Sequence, residues 1–289
     1  MADGIRLNKF ISDSGYCSRR EADKLIEDDL VLVNGQPPTL GTRCHAGDVV
    51  YVEGKRIKGR ANAGSQADRE YIAYNKPMHI TCTTEADVVG NIISAVGYKK
   101  RIFPIGRLDK MSEGLILLTS DGDIVNKILR AENAHDKEYL VTVDKPITDK
   151  FIEKMANGVP ILGTKTLPCK INMQGEFMFK IILTEGLNRQ IRRMCEYFGY
   201  EVTKLKRVRI MNIALGNLKP GEWRKLTANQ LTDINNAIEH SSGDAAPKGA
   251  KLIRRKPRKP SQQERAIKSK TPKVVRTPRK NKKPKKRPR

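Results

Sequence analysis

Pro104-Ile105-Gly106-Arg107-Leu108-Asp109-Lys110 is followed, after four further residues, by Leu115-Ile116-Leu117-Leu118-Thr119. The first stretch reads as a turn built on Gly106. The second, entered through Gly114, is an apolar run of strand length. In an extended segment Arg107 and Asp109, two positions apart, point to the same side. A carboxylate is thus carried on a loop braced by a buried strand, a common place for reactive groups. The same pair also suits an ion pair on a surface loop.

Outward from this stretch the pattern is mixed. Strand-like runs at Tyr71–Tyr74, Tyr139–Val143 and Phe177–Leu183 alternate with helical ones. Thr148–Asn157 puts Phe151, Ile152 and Met155 on one face and closes at Gly158. Such alternation predicts an α+β domain with one core over residues 70–240. Gly186–Cys195 opens a helix that ends at Gly199, with Ile191, Met194, Cys195 and Phe198 as its apolar stripe. Arg189, Arg193 and Glu196 lie opposite, and Arg192 falls at the border. From there a planar guanidinium can lean inward to a buried carboxylate, or it can simply belong to an amphipathic basic helix. Lys137-Glu138-Tyr139-Leu140-Val141 is a strand with Tyr139, Val141 and Val143 on one face, where a tyrosine serves either packing or chemistry. Tyr74-Asn75-Lys76-Pro77 is a strand that stops at a Lys-Pro corner.

Toward the amino terminus, Arg6–Ile11 predicts a short helix broken near Ser14-Gly15, and Ser18 with Glu21 is a capping box opening a second. Val31–Val33 runs into Asn34-Gly35, a tight-turn signal, and Gly47-Asp48 precedes a strand at Val49–Val52. These elements predict a small unit over residues 1–58, with Arg6, Lys9, Arg19, Arg20 and Lys24 concentrated on its two helices. Residues 59–69 lack apolar periodicity and read as a flexible linker. Residues 241–289 hold 20 of the 56 Lys and Arg against only Asp244 and Glu264, and no Phe, Trp or Tyr. Such a segment cannot bury enough apolar surface to offset its ordering entropy, so a disordered basic tail is expected there.

Composition excludes several classes. No apolar run approaches the roughly 20 residues that cross a bilayer, and Asp3, Arg6 and Lys9 stand where a signal peptide needs apolar residues. The five Cys form no C-x-x-C pair and are odd in number, which argues for a reducing cytoplasm rather than a disulfide framework. None of the four His lies near a Cys at ligand spacing, so neither a metal site nor a Ser-His-Asp triad is suggested.

The amino-terminal order Arg-Leu-Asn-Lys-Phe-Ile, Ser-Arg-Arg-Glu-Ala, Val-Asn-Gly, Ala-Gly-Asp resembles the RNA-binding domain named after small-subunit ribosomal protein S-four, the alpha-L motif, over about the first 55 residues. In that family the two helices present a basic face to structured RNA, which implies phosphate contacts for Arg6, Lys9, Arg19 and Arg20. Farther along, Asn-Lys-Pro at 75–77, Gly-Arg-Leu-Asp-Lys-x-Ser-Glu-Gly-Leu-x-x-Leu-Thr at 106–119, Lys-x-Tyr at 137–139, Asn-Arg-Gln-Ile-Arg-Arg-Met at 188–194 and Arg-Ile at 209–210 resemble the RsuA-type ribosomal RNA pseudouridine synthases, from Tyr71 to Leu226. The family's usual Thr in the Asp loop is Ser112 here, with Met111 before it, a departure expected to leave the chemistry unaffected.

The resemblance implies a catalytic domain of mixed α/β structure with a central, mainly antiparallel sheet. It also implies an isomerase that converts a uridine in ribosomal RNA, above all 23S rRNA, to pseudouridine, with no cofactor and no metal. Asp109 matches the catalytic aspartate, which either adds to the anomeric carbon or takes the sugar 2′ proton. Arg192 matches its partner, restoring a charge that desolvation disfavours. Arg107 matches the residue that helps hold the target nucleotide out of its stack, and Tyr139 the tyrosine that stacks on the flipped base and shuttles a proton. Ile210 matches an apolar residue near the base, and Lys76 would contact phosphate or support the Asp loop. A monomer without membrane association is expected. The rival is a non-enzymatic RNA-binding factor in ribosome assembly, relying on the tail and the amino-terminal module. Asp109, Tyr139 and Arg192 discriminate, because RNA binding alone does not need them.

Overall fold

A computed structural model of the chain describes residues 4–58, 69–129 and 135–239. The linker expected at 59–69, except Arg69, and the tail expected at 241–289 lie outside the described residues.

The amino-terminal module runs β1 (Ile5–Arg6), α1 (Leu7–Asp13), α2 (Arg19–Glu27), β2 (Val31–Val33), β3 (Arg43–Cys44), β4 (Val50–Val52) and β5 (Lys55–Ile57). The capping box closes as its residue types require: Ser18 Oγ accepts the Glu21 N–H at 3.1 Å, and the Glu21 carboxylate accepts the Ser18 N–H at 2.6 Å. Asn34 and Gly35 take φ of 52° and 82°, the left-handed pair that a tight turn needs. Leu7 and Ile11 of α1 pack with Ala22 and Ile26 of α2 against Val31, Val50 and Val52.

The larger domain follows as β6 (Tyr71–Lys76), α3 (Ile92–Val96), β7 (Phe103–Ile105), β8 (Glu113–Thr119), α4 (Gly122–Leu129), β9 (Lys137–Val143), α5 (Asp149–Ala156), β10 (Pro160–Ile161), β11 (Thr164–Lys165), β12 (Lys170–Gly175), β13 (Met178–Leu183), α6 (Gln190–Tyr197), β14 (Val202–Ile210), β15 (Ile213–Ala214), β16 (Trp223–Lys225) and α7 (Ala228–Ile238). The main sheet has the order β12-β13-β9-β14-β8-β6-β16, with β15 on β14 and β7 on β8. Every pairing in it is antiparallel except β14 with β8.

The two halves of the sheet bury their strands differently, and the sequence patterns follow. Leu115 and Leu117 pack under α4 and α7, while Ile116 and Leu118 pack with α3 on the opposite face, so β8 is apolar on both sides and reads as a continuous run. In the other half α5 and α6 cover one face only, and β13 alternates buried with half-buried residues.

One close approach fixes the junction of the halves. Register aligns Gly114 of β8, Arg207 of β14 and Tyr139 of β9 in a row. Gly114 has φ 104°, and a Cβ built there would overlap the Arg207 backbone, with its nitrogen at 2.7 Å. Gly114→Ala should therefore cost more than about 2 kcal/mol, from a strained φ plus forced separation of β8 and β14. Thermal unfolding checks this, and a midpoint within about 1 °C of the parent would contradict it.

The module and the larger domain belong to one compact unit. Lys9 Nζ lies 2.7 Å from Asp13 and 2.9 Å from Asp123 of α4, and Arg101 donates to the Ser12 carbonyl at 3.3 Å. Among the described residues no helix is long and apolar enough to cross a membrane.

Candidate active site

β6 covers one edge of β8, and β7 and β14 divide the other. The chain leaves β7 at Ile105, loops out through 106–112 and re-enters at Glu113 beside β14, so Asp109 stands over the seam between the two halves. The loop is tied from three sides. The His79 N–H donates to the Lys110 carbonyl at 2.7 Å, the Leu108 N–H to Cys82 Sγ at 3.4 Å, and the Ser112 N–H to the Asp109 carbonyl at 2.9 Å. Ser112 is itself buried and closes this turn.

A cavity of about 460 Å³ opens beside the loop, within the size range that holds a small molecule. Arg107, Asp109, Lys137, Tyr139, Arg189 and Arg207 line it. One carboxylate among so many cations makes the cavity attractive to an anionic ligand. Tyr139 packs against two core clusters and also lines the cavity. The Arg207 guanidinium carbon lies 6.0 Å from the Tyr139 ring centre, within cation–π range.

Arg192 reaches the loop from α6. Its Nη1 donates to the Val202 carbonyl at 2.9 Å, Nη2 approaches the Met111 carbonyl at 3.3 Å, and Nε lies 3.8 Å from Asp109 Oδ2. The fork expected to grip a buried carboxylate is spent instead on backbone carbonyls, and Asp109 is a third exposed. Burial first, and Arg189 next, hold the guanidinium below the usual arginine value, with Asp109 opposing them.

Two sequence expectations, for Ile210 and Lys9, differ from the placement found, and of the two roles read for Lys76 its burial excludes the phosphate contact. Lys76 is fully buried, its Nζ donating to the carbonyls of Pro77 at 2.8 Å and Ile80 at 2.9 Å. It pins the corner whose His79 holds the Asp109 loop, and a phosphate cannot reach it. Burial pushes its pKa below the usual lysine value. Ile210 is buried in the core with Ile105, Leu117 and Ile213 and does not line the cavity. Lys9 is occupied by Asp13 and Asp123; burial works to lower its pKa, but those carboxylates raise it on balance. Arg6, Arg19 and Arg20 are exposed.

Lys137, Arg189 and Arg207 line the cavity without having been singled out. For Lys137 and Arg207 a signal existed: each is a cation on the inward side of a strand, in step with Tyr139 and Val141 on β9 and with Leu205 on β14.

The sequence profile of the RNA pseudouridylate synthase family matches residues 70–197, and that of the S4 domain matches residues 5–50. The dual-specificity RNA pseudouridine synthase RluF of Salmonella typhi is 58% identical over 243 residues, covering 84% of this chain and 83% of its own. The chain belongs to the RNA pseudouridylate synthase family. This synthase is also 31% identical to the ribosomal large subunit pseudouridine synthase B of Bacillus subtilis (strain 168) over 244 residues, which is 81% of this chain and 97% of that one. A crystal structure of a pseudouridylate synthase matches it at TM-score 0.58 and 28% identity, over 80% of this chain and 99% of the other. The synthase is an isomerase that rejoins uracil to its ribose through carbon instead of nitrogen.

Proposed function

We propose that the substrate uridine lies in large-subunit ribosomal RNA and that Asp109 carries the reaction. The observation behind this is one cavity in which Asp109 and Tyr139 face the same space, with Arg192 at 3.8 Å from the carboxylate. An extruded base would lie against the Tyr139 ring, which brings its sugar to Asp109. The carboxylate then either adds to the anomeric carbon or removes the 2′ proton. Arg107, exposed at the mouth, occupies the place from which a side chain can fill the gap the base leaves. The names of the relatives support ribosomal RNA, and "dual-specificity" supports acceptance of more than one RNA. Mapping pseudouridines in cells with and without the gene tests this: loss of at least one site from large-subunit RNA is expected, and an unchanged map would contradict the assignment.

Tyr139→Phe keeps the stacking surface and removes only the hydroxyl, whereas Tyr139→Leu removes both. We expect the Phe variant to retain turnover within about tenfold and the Leu variant to lose about a hundredfold more, since a stacked base is worth about 1–3 kcal/mol. Equal single-turnover rates for Tyr, Phe and Leu would reduce Tyr139 to packing.

The two profile matches support a division into an RNA-docking module at 1–58 and a catalytic domain at 70–240. Arg19 and Arg20 occupy the first turn of α2, where the helix dipole disfavours cations, so their presence there costs stability that RNA phosphates would offset. Replacing both with Ala should lower the log–log salt slope of RNA binding by about 1–2. An unchanged slope would remove them from the interface. All five cysteines are free, which suits a reducing cytoplasm.

A further inference from the structure

Arg207 and Lys137 are neighbouring cations inside the cavity wall, and the mechanism above leaves both unused. Arg207 is 4% exposed; its Nε donates to the Leu115 carbonyl at 2.7 Å, while Nη2 is buried without a hydrogen-bond partner. Lys137 is 7% exposed and donates to the carbonyls of His135 at 3.0 Å and Thr184 at 3.4 Å. Burial, then the charge of Arg207, pushes Lys137 down to about 8. Among the described residues neither cation has an ion-paired carboxylate. Buried cations are ordinarily paired, and two side by side repel each other, so the arrangement calls for negative charge that arrives with the ligand.

Two sources of that charge could enter the cavity, an RNA phosphate and the base itself. A phosphate stays with the backbone at the mouth, where Arg107, Lys110 and Arg189 are exposed. The buried pair lies beside Tyr139, where a flipped base would rest. Resting on the assignment of uridine isomerisation to this cavity, we propose that Arg207 and Lys137 hold the negative charge that the uracil ring carries after its glycosidic bond breaks.

The N1–C1′ bond breaks and its pair leaves with N1, spreading onto O2 and O4. C1′ is satisfied by an Asp109 oxygen, or by a C1′–C2′ double bond once Asp109 has taken the 2′ proton. The ring turns, and C5 supplies the pair that bonds to C1′ while the Asp109 ester departs or the 2′ proton returns. C5 then loses its proton and N1 gains one, so no atom or electron is gained overall. A ring that must turn cannot stay in one fixed hydrogen-bond geometry. Two cations that face it from adjacent strands provide a field that persists through the turn, already in place and without water to reorganise.

The test uses the full-length protein and a stem-loop oligonucleotide around the mapped uridine, made with uridine or 5-fluorouridine at that position. Fluorine is close to hydrogen in size, and it withdraws electrons, which makes the departing ring a better anion. The readout is the single-turnover rate at which the original nucleoside disappears, alongside the Kd for the RNA. Arg207→Met and Lys137→Met should each slow uridine consumption by about a hundredfold. Their Kd should stay within about twofold of the parent, and their loss on 5-fluorouridine RNA should be at least tenfold smaller. Arg207→Lys should recover most of the rate. If Arg207→Met does not fold, Lys137→Met carries the same comparison. Equal losses on the two RNAs, or weaker binding at an unchanged rate, would overturn the proposal, the latter indicating a phosphate contact. Parent protein that consumes neither RNA would overturn the isomerase assignment beneath it.

Discussion

Asp109→Asn should lower isomerisation by more than about 10⁴-fold, the scale on which removal of a reacting carboxylate or nucleophile acts. The amide has the same shape and fits the same turn, whose bonds to His79, Cys82 and Ser112 all run through the loop backbone or Leu108. What disappears is the anion that must meet the sugar. RNA affinity should stay within about twofold, because the cations around the cavity are untouched. The measurement is a single-turnover rate with excess enzyme, paired with a binding isotherm. Turnover by the Asn variant above contamination by the parent would remove Asp109 from its role.

The second largest effect is expected from Arg192→Leu, a loss of about 10³-fold in rate. The cause is positional as much as electrostatic. Asp109 is a third exposed and 3.8 Å from Nε, so solvent screens that pair and its direct stabilising effect is small. Leucine cannot donate to the Val202 and Met111 carbonyls, and the loop carrying Asp109 loses its tie to α6. The stability cost should be about 1–2 kcal/mol, mainly from the part-buried Val202 carbonyl left without its donor. Arg192→Lys keeps the charge but cannot span the separate acceptors, so it should recover only part of the rate. Unfolding midpoints and single-turnover rates for the three proteins check this. A leucine variant with parental rate would exclude the contact.

Elements whose signals are local were legible in the sequence. The capping reciprocity of Ser18 with Glu21, the turn at Asn34-Gly35 and the apolar run Leu115–Leu118 each depend on residues a few positions apart. The order of strands was not legible, because the meeting of Gly114, Arg207 and Tyr139 joins segments tens of residues apart. A still longer separation hid the placement of Lys9. A lysine on a basic helix reads as a phosphate contact. Lys9 is paired with Asp123, more than a hundred residues away, whereas Lys76 is held by carbonyls only one and four positions along the chain. Ile210 was read near the base from motif order alone, and the sheet turns it into the core. Asp109 and Tyr139 could be proposed because motif order fixes the loop and the strand that carry them, while Arg207 needed the register of β14 against β9.

The central claim, that this chain isomerises uridine in RNA through Asp109, is tested most directly by release of tritium from RNA labelled at C5 of uridine. Forming the carbon–carbon bond expels the C5 hydrogen, so each turnover frees one tritium into water. Purified full-length protein mixed with labelled large-subunit ribosomal RNA should release tritium to a plateau set by the number of sites, and Asp109→Asn should release none above background while still binding the RNA. Tight binding by the parent without tritium release, or equal release by the Asn variant, would contradict the account.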